Sequence, residues 1–172
     1  GDDRRTDFNP ADRPTLLIDG VPATEVVEQI RLDGLINFQT QSGSLAIKRT
    51  WLVDRHRPVA IERLVVRNVG SRPIRVSLSS VKARVTDPAK GVDGAYTMEA
   101  LPWRGEEATL KPRQSRELSI YYVAGPSKGA PVELPESPGA EEKGRRRQVR
   151  ELDRLLDLRT PDPNVTRLFR FA

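Results

Sequence analysis

Residues 45–69 read LAIKRTWLVDRHRPVAIERLVVRNV, and this stretch decides the fold. In its first part Leu45, Ile47 and Trp51 share one face of an alternating pattern, and a period of two is typical of a β-strand. A charged turn at residues 54–58 separates it from a longer apolar run at residues 59–69. That second run is apolar on both faces in places, as in the middle strand of a sandwich. The stretch therefore predicts a β-sheet protein that packs Trp51 in its core.

Shorter strand signals continue on both sides of this pair. Runs rich in Val, Ile and Leu alternate with turn sequences such as Asp33-Gly34, at intervals of about 8 to 12 residues. The further strand candidates are residues 15–19, 24–32, 35–40, 74–78, 81–85, 96–101, 106–110 and 118–124. About six to nine short strands of this kind predict a mainly β fold. We expect an antiparallel β-sandwich of the supersandwich type over residues 14–125, after a flexible leader at residues 1–13.

The composition excludes several kinds of site. The chain has 172 residues, no Cys and a single His, His56, which lies in the charged turn and is expected at the surface. Thiol nucleophiles, zinc ribbons, iron–sulfur clusters and His-based triads are therefore excluded, and we expect no metal and no other cofactor. The apolar runs are far shorter than the roughly 20 residues that cross a bilayer, so we expect no membrane partner.

The sequence changes character after Gly125. Residues 126–140 are rich in Pro and Gly and predict a linker, or a loop pinned to a surface. Residues 141–159 predict a linker helix, because apolar residues recur there at helical spacing, at Val149, Leu152, Leu155 and Leu156. The TPDP sequence at residues 160–163 breaks that helix. Residues 160–172 are expected to be the truncated start of a helical domain, and the chain to be part of a longer protein.

This order of parts resembles the start of the bacterial six-hairpin glycosidases. The resemblance rests on the β-rich body, the helix, and the TPDP turn followed by LFRFA at residues 168–172. The stretches GSLAIKRTW at residues 43–51 and ERLVVRNVGS at residues 62–71 also look like the paired sandwich strands of that group. In these enzymes a helical linker joins an N-terminal β-sandwich to an (α/α)6 catalytic barrel.

The resemblance implies a role for the chain as a whole. It implies a non-catalytic sandwich of a glycoside hydrolase that packs on a helical catalytic domain, either in the same protein or in a companion chain. The catalytic carboxylates would lie in the barrel, so no catalytic residue is assigned here. We expect the contact with the helical domain at Arg145, Arg146, Leu152, Leu155 and Phe169. A periplasmic or secreted location is favoured over a cytoplasmic one.

Three residues are candidates for binding a sugar substrate. Glu62 is a carboxylate on a mainly apolar strand. We expect it to pair with a neighbouring Arg, the alternative being a role at a domain interface or in ligand binding. Trp103 and Tyr96 are aromatic residues that could stack on the apolar face of a pyranose, and Trp103 lies in a loop-like sequence. Trp51 could stack on a sugar in the same way, but we expect core packing for it.

Two other functions remain open. The chain could be an independent carbohydrate-binding sandwich that uses Trp103 and Tyr96. It could also be a basic adaptor that holds an acidic partner through the run at residues 145–150, RRRQVR. We expect no nucleic acid, because this run has no aromatic side chains beside it and acidic residues follow at once. On a helix its Arg residues could instead pair with Glu residues three or four positions away.

Overall fold

The computed structural model of the chain describes residues 13–79, 83–91, 94–128 and 130–155, together with Pro161 and Asn164. These ranges contain eleven strands and a helix. The elements are β1 (Leu16–Ile18), β2 (Val21–Pro22), β3 (Val26–Leu32), β4 (Ile36–Ser42), β5 (Leu45–Val53), β6 (Val59–Asn68), β7 (Ile74–Leu78), β8 (Ala83–Gly91), β9 (Gly94–Trp103), β10 (Ala108–Leu110), β11 (Ser115–Pro126) and α1 (Pro138–Leu155). The chain is therefore mainly β, as the alternating sequence predicts.

The strands form two antiparallel sheets. The large sheet has the order β3-β4-β5-β6-β11-β9-β8, and the small sheet has the order β10-β7-β1-β2. β6 lies between β5 and β11, so that Glu62 stands opposite Trp51 on one side and Ile120 on the other. The antiparallel sandwich is confirmed, and the strand predicted for the middle of a sheet lies there.

The main core lies between the two sheets. The large sheet contributes alternate residues of its central strands, namely Leu45, Ile47, Leu64, Val66, Ala100, Leu118 and Ile120. The small sheet contributes Leu16, Val76, Leu78 and Leu110. Because each fully buried Leu, Ile or Val stabilises a fold by about 1.5–3 kcal/mol relative to an exposed one, this layer holds the sheets together.

A second apolar cluster covers the opposite face of the large sheet. It contains Leu35, Leu52, Val59, Ile61, Tyr121 and Val123, and Val132 and Leu134 of the Pro-rich segment pack against it. The Tyr121 hydroxyl donates a hydrogen bond of 2.7 Å to the Pro135 carbonyl oxygen. Burial, with the negative charge of Glu117, raises the pKa of Tyr121 to about 12. The Pro-rich segment is therefore pinned to the sheet, which was one of the two predictions for it.

The helix α1 begins at Pro138, three residues before the predicted start. Ser137 precedes it as the N-cap residue, and the amide of Ala140 donates to both the Ser137 carbonyl and its hydroxyl oxygen. Pro at the first helical position has the backbone angle that a helix requires. The Pro-rich composition of residues 126–140 concealed this start.

A chain of ion pairs, which we call the helix network, fastens α1 to the large sheet. Arg63 on β6 donates to Glu142 over 2.8 Å and also pairs with Glu117. Arg146 donates to Glu142 over 2.8 Å and to Asp33 over 3.2 Å. The pairing of Arg146 with Glu142, four positions away, confirms the expectation for the basic run. The helix network thus joins the turn before β4, two strands and α1.

Gly34 lets α1 approach the sheet closely. It lies in the turn between β3 and β4 with φ of +76°, and a Cβ atom added to it would overlap the side chain of Val149. Arg145 of α1 also donates to the Gly34 carbonyl oxygen over 3.4 Å. A residue with a side chain would therefore be strained here and would displace the helix.

Four other sequence predictions need comment. The strand predicted at residues 81–85 corresponds to β8, which extends to Gly91, and β9 extends to Trp103 instead of ending at Leu101. The predicted leader is described only at Arg13. The second helix predicted for residues 160–172 lies outside the described residues, apart from Pro161 and Asn164.

Candidate functional site

The small sheet covers only part of the large sheet, and a groove lies beside it. The groove has a volume of about 290 Å³ and is lined by Arg13, Pro14, Thr15, Glu25, Val27, Phe38, Thr40, Arg49, Trp51 and Glu62. Its floor is formed by neighbouring strands, because Phe38 stands opposite Arg49 and Trp51 opposite Glu62. The residues before β1 form one wall. We call this feature the groove.

A second set of ion pairs, the groove network, lies on this floor. Arg49 donates through its Nε to Glu25 over 2.9 Å, and its two Nη atoms pair with Glu25 and Glu62. The Thr40 hydroxyl donates to Glu25 over 2.6 Å. The Tyr122 hydroxyl donates to Glu62 over 2.9 Å. One Arg thus holds two carboxylates at the base of an open cavity, and the ion pair predicted for Glu62 is confirmed.

The charges of the groove network shift the pKa values of its members. Burial alone would raise the pKa of Glu25, but the hydrogen bonds and positive charge of Arg49 outweigh burial and hold it below its ordinary value. The two carboxylates keep the pKa of Arg49 above its ordinary value despite burial. Burial, together with the charge of Glu62, raises the pKa of Tyr122. Glu25 is therefore ionised at neutral pH, and Tyr122 keeps its proton.

The aromatic rings of the groove are Trp51 and Phe38, both half-buried. Trp51 stacks on Tyr122 with ring centroids 5.0 Å apart and an angle of 24° between the planes. The sequence predicted that Trp51 packs in the core, and this prediction is wrong. The alternation places Trp51 on the core-facing side of β5, but the small sheet ends before it reaches that position.

Exposed apolar side chains border the groove on the same face of the large sheet. They are Ile30, Leu32, Ile36 and Val53, whose exposed fractions are 59%, 59%, 44% and 63%. Leu32 stands opposite Ile36, which stands opposite Trp51, and Val53 lies two residues farther along β5. The four residues therefore form one continuous patch, which we call the open surface. Exposed apolar patches of this kind mark contact with another protein surface or a ligand.

Trp103 and Tyr96, predicted as sugar-binding residues, do not come together. They lie seven positions apart on β9, which pairs with β11 without a bulge over this length. Their side chains therefore point to opposite faces of the sheet. Trp103 packs on the second cluster, with Tyr121 at its edge and the Arg104 guanidinium 4.2 Å from the ring centroid. A single sugar platform cannot use both residues, and Glu62 alone of the three lines the groove.

Four of the five residues predicted to contact a helical domain lie in the described part of the chain. Arg145 and Arg146 bind the sandwich of this same chain. Leu152 is exposed, Leu155 is the last residue of α1, and Phe169 lies outside the described residues. His56 is exposed, as expected. Arg146 is engaged by two carboxylates, whereas Arg147 and Arg150 of the same run are exposed, so the adaptor that binds an acidic partner stays a prediction.

Sequence reasoning missed Arg49, Glu25 and Tyr122. A signal existed for Arg49, since it interrupts the apolar face that Leu45, Ile47 and Trp51 share. Glu25 lies 24 positions from Arg49, and no local pattern links the two. Tyr122 follows the alternation of β11 with Ile120 and Ala124, and that pattern is the same for a core residue and for a residue of the groove network.

No protein-family model matches the chain, and no curated protein sequence matches it.

Among the described residues, no helix is long and apolar enough to cross a membrane. In that same part of the chain, no three His, Cys, Asp or Glu side chains gather as they would around a metal ion.

Proposed function

We propose that the chain is a non-catalytic β-sandwich that supports a helical catalytic domain of a carbohydrate-active enzyme. The observation that carries this proposal is the open surface, a continuous apolar patch on a sheet face that the small sheet leaves uncovered. Apolar area of this kind is stabilised when another domain covers it. The carbohydrate chemistry of that domain is inferred from the sequence resemblance to six-hairpin glycosidases.

The position of α1 supports the same proposal. Val149 and Arg145 contact Gly34, in the turn that joins β3 to β4. Leu32 and Ile36, on the two sides of this turn, belong to the open surface. A domain that follows α1 along the chain would therefore start near the end of the sheet that carries Leu32 and Ile36, although α1 itself packs on the opposite face. Because the helix network fixes α1 to the sheet, that starting point is held in one place.

The groove is poorly suited to hydrolysis. Glycosidases need two carboxyl groups, of which one is protonated and donates to the leaving oxygen. Glu25 is held ionised by Arg49, and Glu62 is engaged by Arg49 and Tyr122. We therefore expect the 172-residue chain to hydrolyse no aryl glycoside by itself.

The proposal is tested by binding. The 172-residue chain and the polypeptide encoded directly after the Ala172 codon are produced separately, and their association is measured by calorimetry. We expect binding that Leu32→Lys abolishes, since the charge would be placed in an apolar contact. Val69→Lys is the matched control, because Val69 is 54% exposed but lies outside the open surface. A reading frame that stops after Ala172, or equal binding by wild type and Leu32→Lys, would contradict the proposal.

A further inference from the structure

We infer that the groove binds a single neutral pyranose sugar, a function that the supporting role proposed above does not require. The groove is formed entirely by this chain, from the floor of the large sheet and the residues before β1. It combines aromatic and aliphatic side chains with charged ones. Each of these properties restricts the class of ligand that could bind.

The charges of the groove favour a neutral ligand. Among the described residues, two Arg residues, Arg13 and Arg49, and two Glu residues, Glu25 and Glu62, line it, so their formal charges cancel. Arg49 lies between the two carboxylates and pairs with both. An anion would be attracted by the Arg residues and repelled by the Glu residues, and a cation the reverse, so a charge on the ligand brings no net attraction. A neutral ligand avoids both repulsions.

The hydrogen-bonding capacity of the floor suits hydroxyl groups. In the described part of the chain, one oxygen of Glu62 accepts from Arg49 and the other from Tyr122. A carboxylate has about four acceptor positions, so capacity remains at Glu62 for donors in the groove. A sugar hydroxyl can donate to such an oxygen and can also accept from a guanidinium group.

The apolar side chains of the groove supply the complementary contacts. Val27, Phe38 and Trp51 line the groove beside the charged residues. Tyr122 stacks on Trp51 and fixes the orientation of its ring. A pyranose presents hydroxyl groups at its rim and C–H groups on its face, which matches charged side chains flanked by aromatic ones.

The size of the groove limits the ligand to about one ring. Small-molecule sites usually enclose roughly 300 to 1,000 Å³, and a groove of about 290 Å³ lies at the lower end of that range. Because the groove is small and open on one side, we expect a dissociation constant in the millimolar range.

The two tryptophans provide a direct test by NMR. The ¹⁵N-labelled 172-residue chain has two indole N–H signals, from Trp51 and Trp103, which a Trp103→Phe variant assigns. The probes are the methyl pyranosides of glucose, galactose and mannose. With at least one of them we expect a saturable shift of the Trp51 signal and none of the Trp103 signal. A saturable shift of Trp103 instead, or no saturable shift up to about 100 mM sugar, would overturn the inference.

Variants and charged probes sharpen the test. We expect Glu62→Gln to weaken binding at least tenfold, and Glu142→Gln, a change of the same kind outside the groove, to leave it unchanged. Phe38→Ala should also weaken binding, and it replaces Glu62→Gln if that variant does not fold. Stronger binding of glucosamine or of glucuronate than of the neutral sugar would overturn the assignment. Leu32→Lys should bind sugar like the wild type although it loses the domain contact. The sugar titration and the domain-binding measurement can therefore fail independently of each other.

Discussion

The two faces of the large sheet each carry an ion network, and the two networks differ in what they join. On one face Arg63 connects β6 to Glu142 of α1, 79 positions away along the chain. On the other face Arg49 connects β5 to Glu62 of β6, a strand that the backbone already pairs with β5. The first network fastens a helix. The second holds together strands that are already joined, together with Glu25 from the segment before β3.

We therefore assign a structural role to the helix network and a binding role to the groove network. The helix network lies beneath α1, and its members are needed to keep the helix in place. The groove network lies at the base of an open cavity. Burying charged groups costs free energy unless they are paired. In our proposal the groove network contacts the ligand that the groove receives.

The largest expected effect comes from removing the close approach of α1. Gly34→Ala would place a Cβ atom against Val149 and would strain a backbone angle that favours glycine. We expect the free energy of unfolding to fall by about 3 kcal/mol, measured by urea denaturation. In the double variant Gly34→Ala with Val149→Ala, part of the loss should be recovered. A single variant as stable as wild type would show that α1 does not pack on this turn.

A matched pair of substitutions compares the two networks directly. Glu142 and Glu62 are both buried, at 7% and 5% exposure, and each accepts hydrogen bonds from two donors. We expect Glu142→Gln to destabilise the chain by about 2 kcal/mol and to speed hydrogen exchange in residues 138–155. Glu62→Gln should leave exchange in that helix unchanged. Faster helix exchange in both variants would mean that the networks are not separate.

The sequence predicted the parts of the fold that depend on local alternation. Two central strands were predicted at residues 45–53 and 59–69, because the alternation of apolar side chains indicates which face of the sheet each residue occupies. It could not show how far the small sheet extends, and so Trp51 was assigned to the core. It also could not show that Glu25 meets Arg49, since their contact depends on the path of the chain between two sheets. The start of α1 at Pro138 was missed because Pro also marks linkers.

The groove network should respond to acid. The pKa of Glu25 is lowered in the folded chain, so on acidification the unfolded chain takes up this proton first. The stability that Glu25 contributes is therefore present above its ordinary pKa of 4.5 and is lost as the pH falls toward the folded value.

In thermal denaturation we expect Glu25→Gln to flatten the fall of Tm below about pH 5. Some fall should remain, because the pKa of Asp54 is also lowered: burial alone would raise it, but hydrogen bonds from the His56 amide and from Arg57 outweigh burial. Identical acid curves for variant and wild type would contradict the role of Glu25.

The smallest expected effect concerns the open surface. In the 172-residue chain Leu32→Lys replaces an exposed side chain, and we expect the free energy of unfolding to change by no more than about 0.5 kcal/mol. Urea denaturation measures this change. A loss several times larger would show that Leu32 is buried in the chain itself, and the open surface would then not be available to a partner.

The central claim is that the open surface is covered by a helical domain, and side-chain footprinting tests it most directly. The 172-residue chain and the complete product of the same gene are labelled with a carbene reagent and analysed by mass spectrometry. We expect Ile30, Leu32 and Ile36 to be labelled in the isolated chain and protected in the complete protein. Val69, exposed but distant from the patch, should be labelled equally in both. Equal labelling of Ile30, Leu32 and Ile36 in the two samples would contradict the claim.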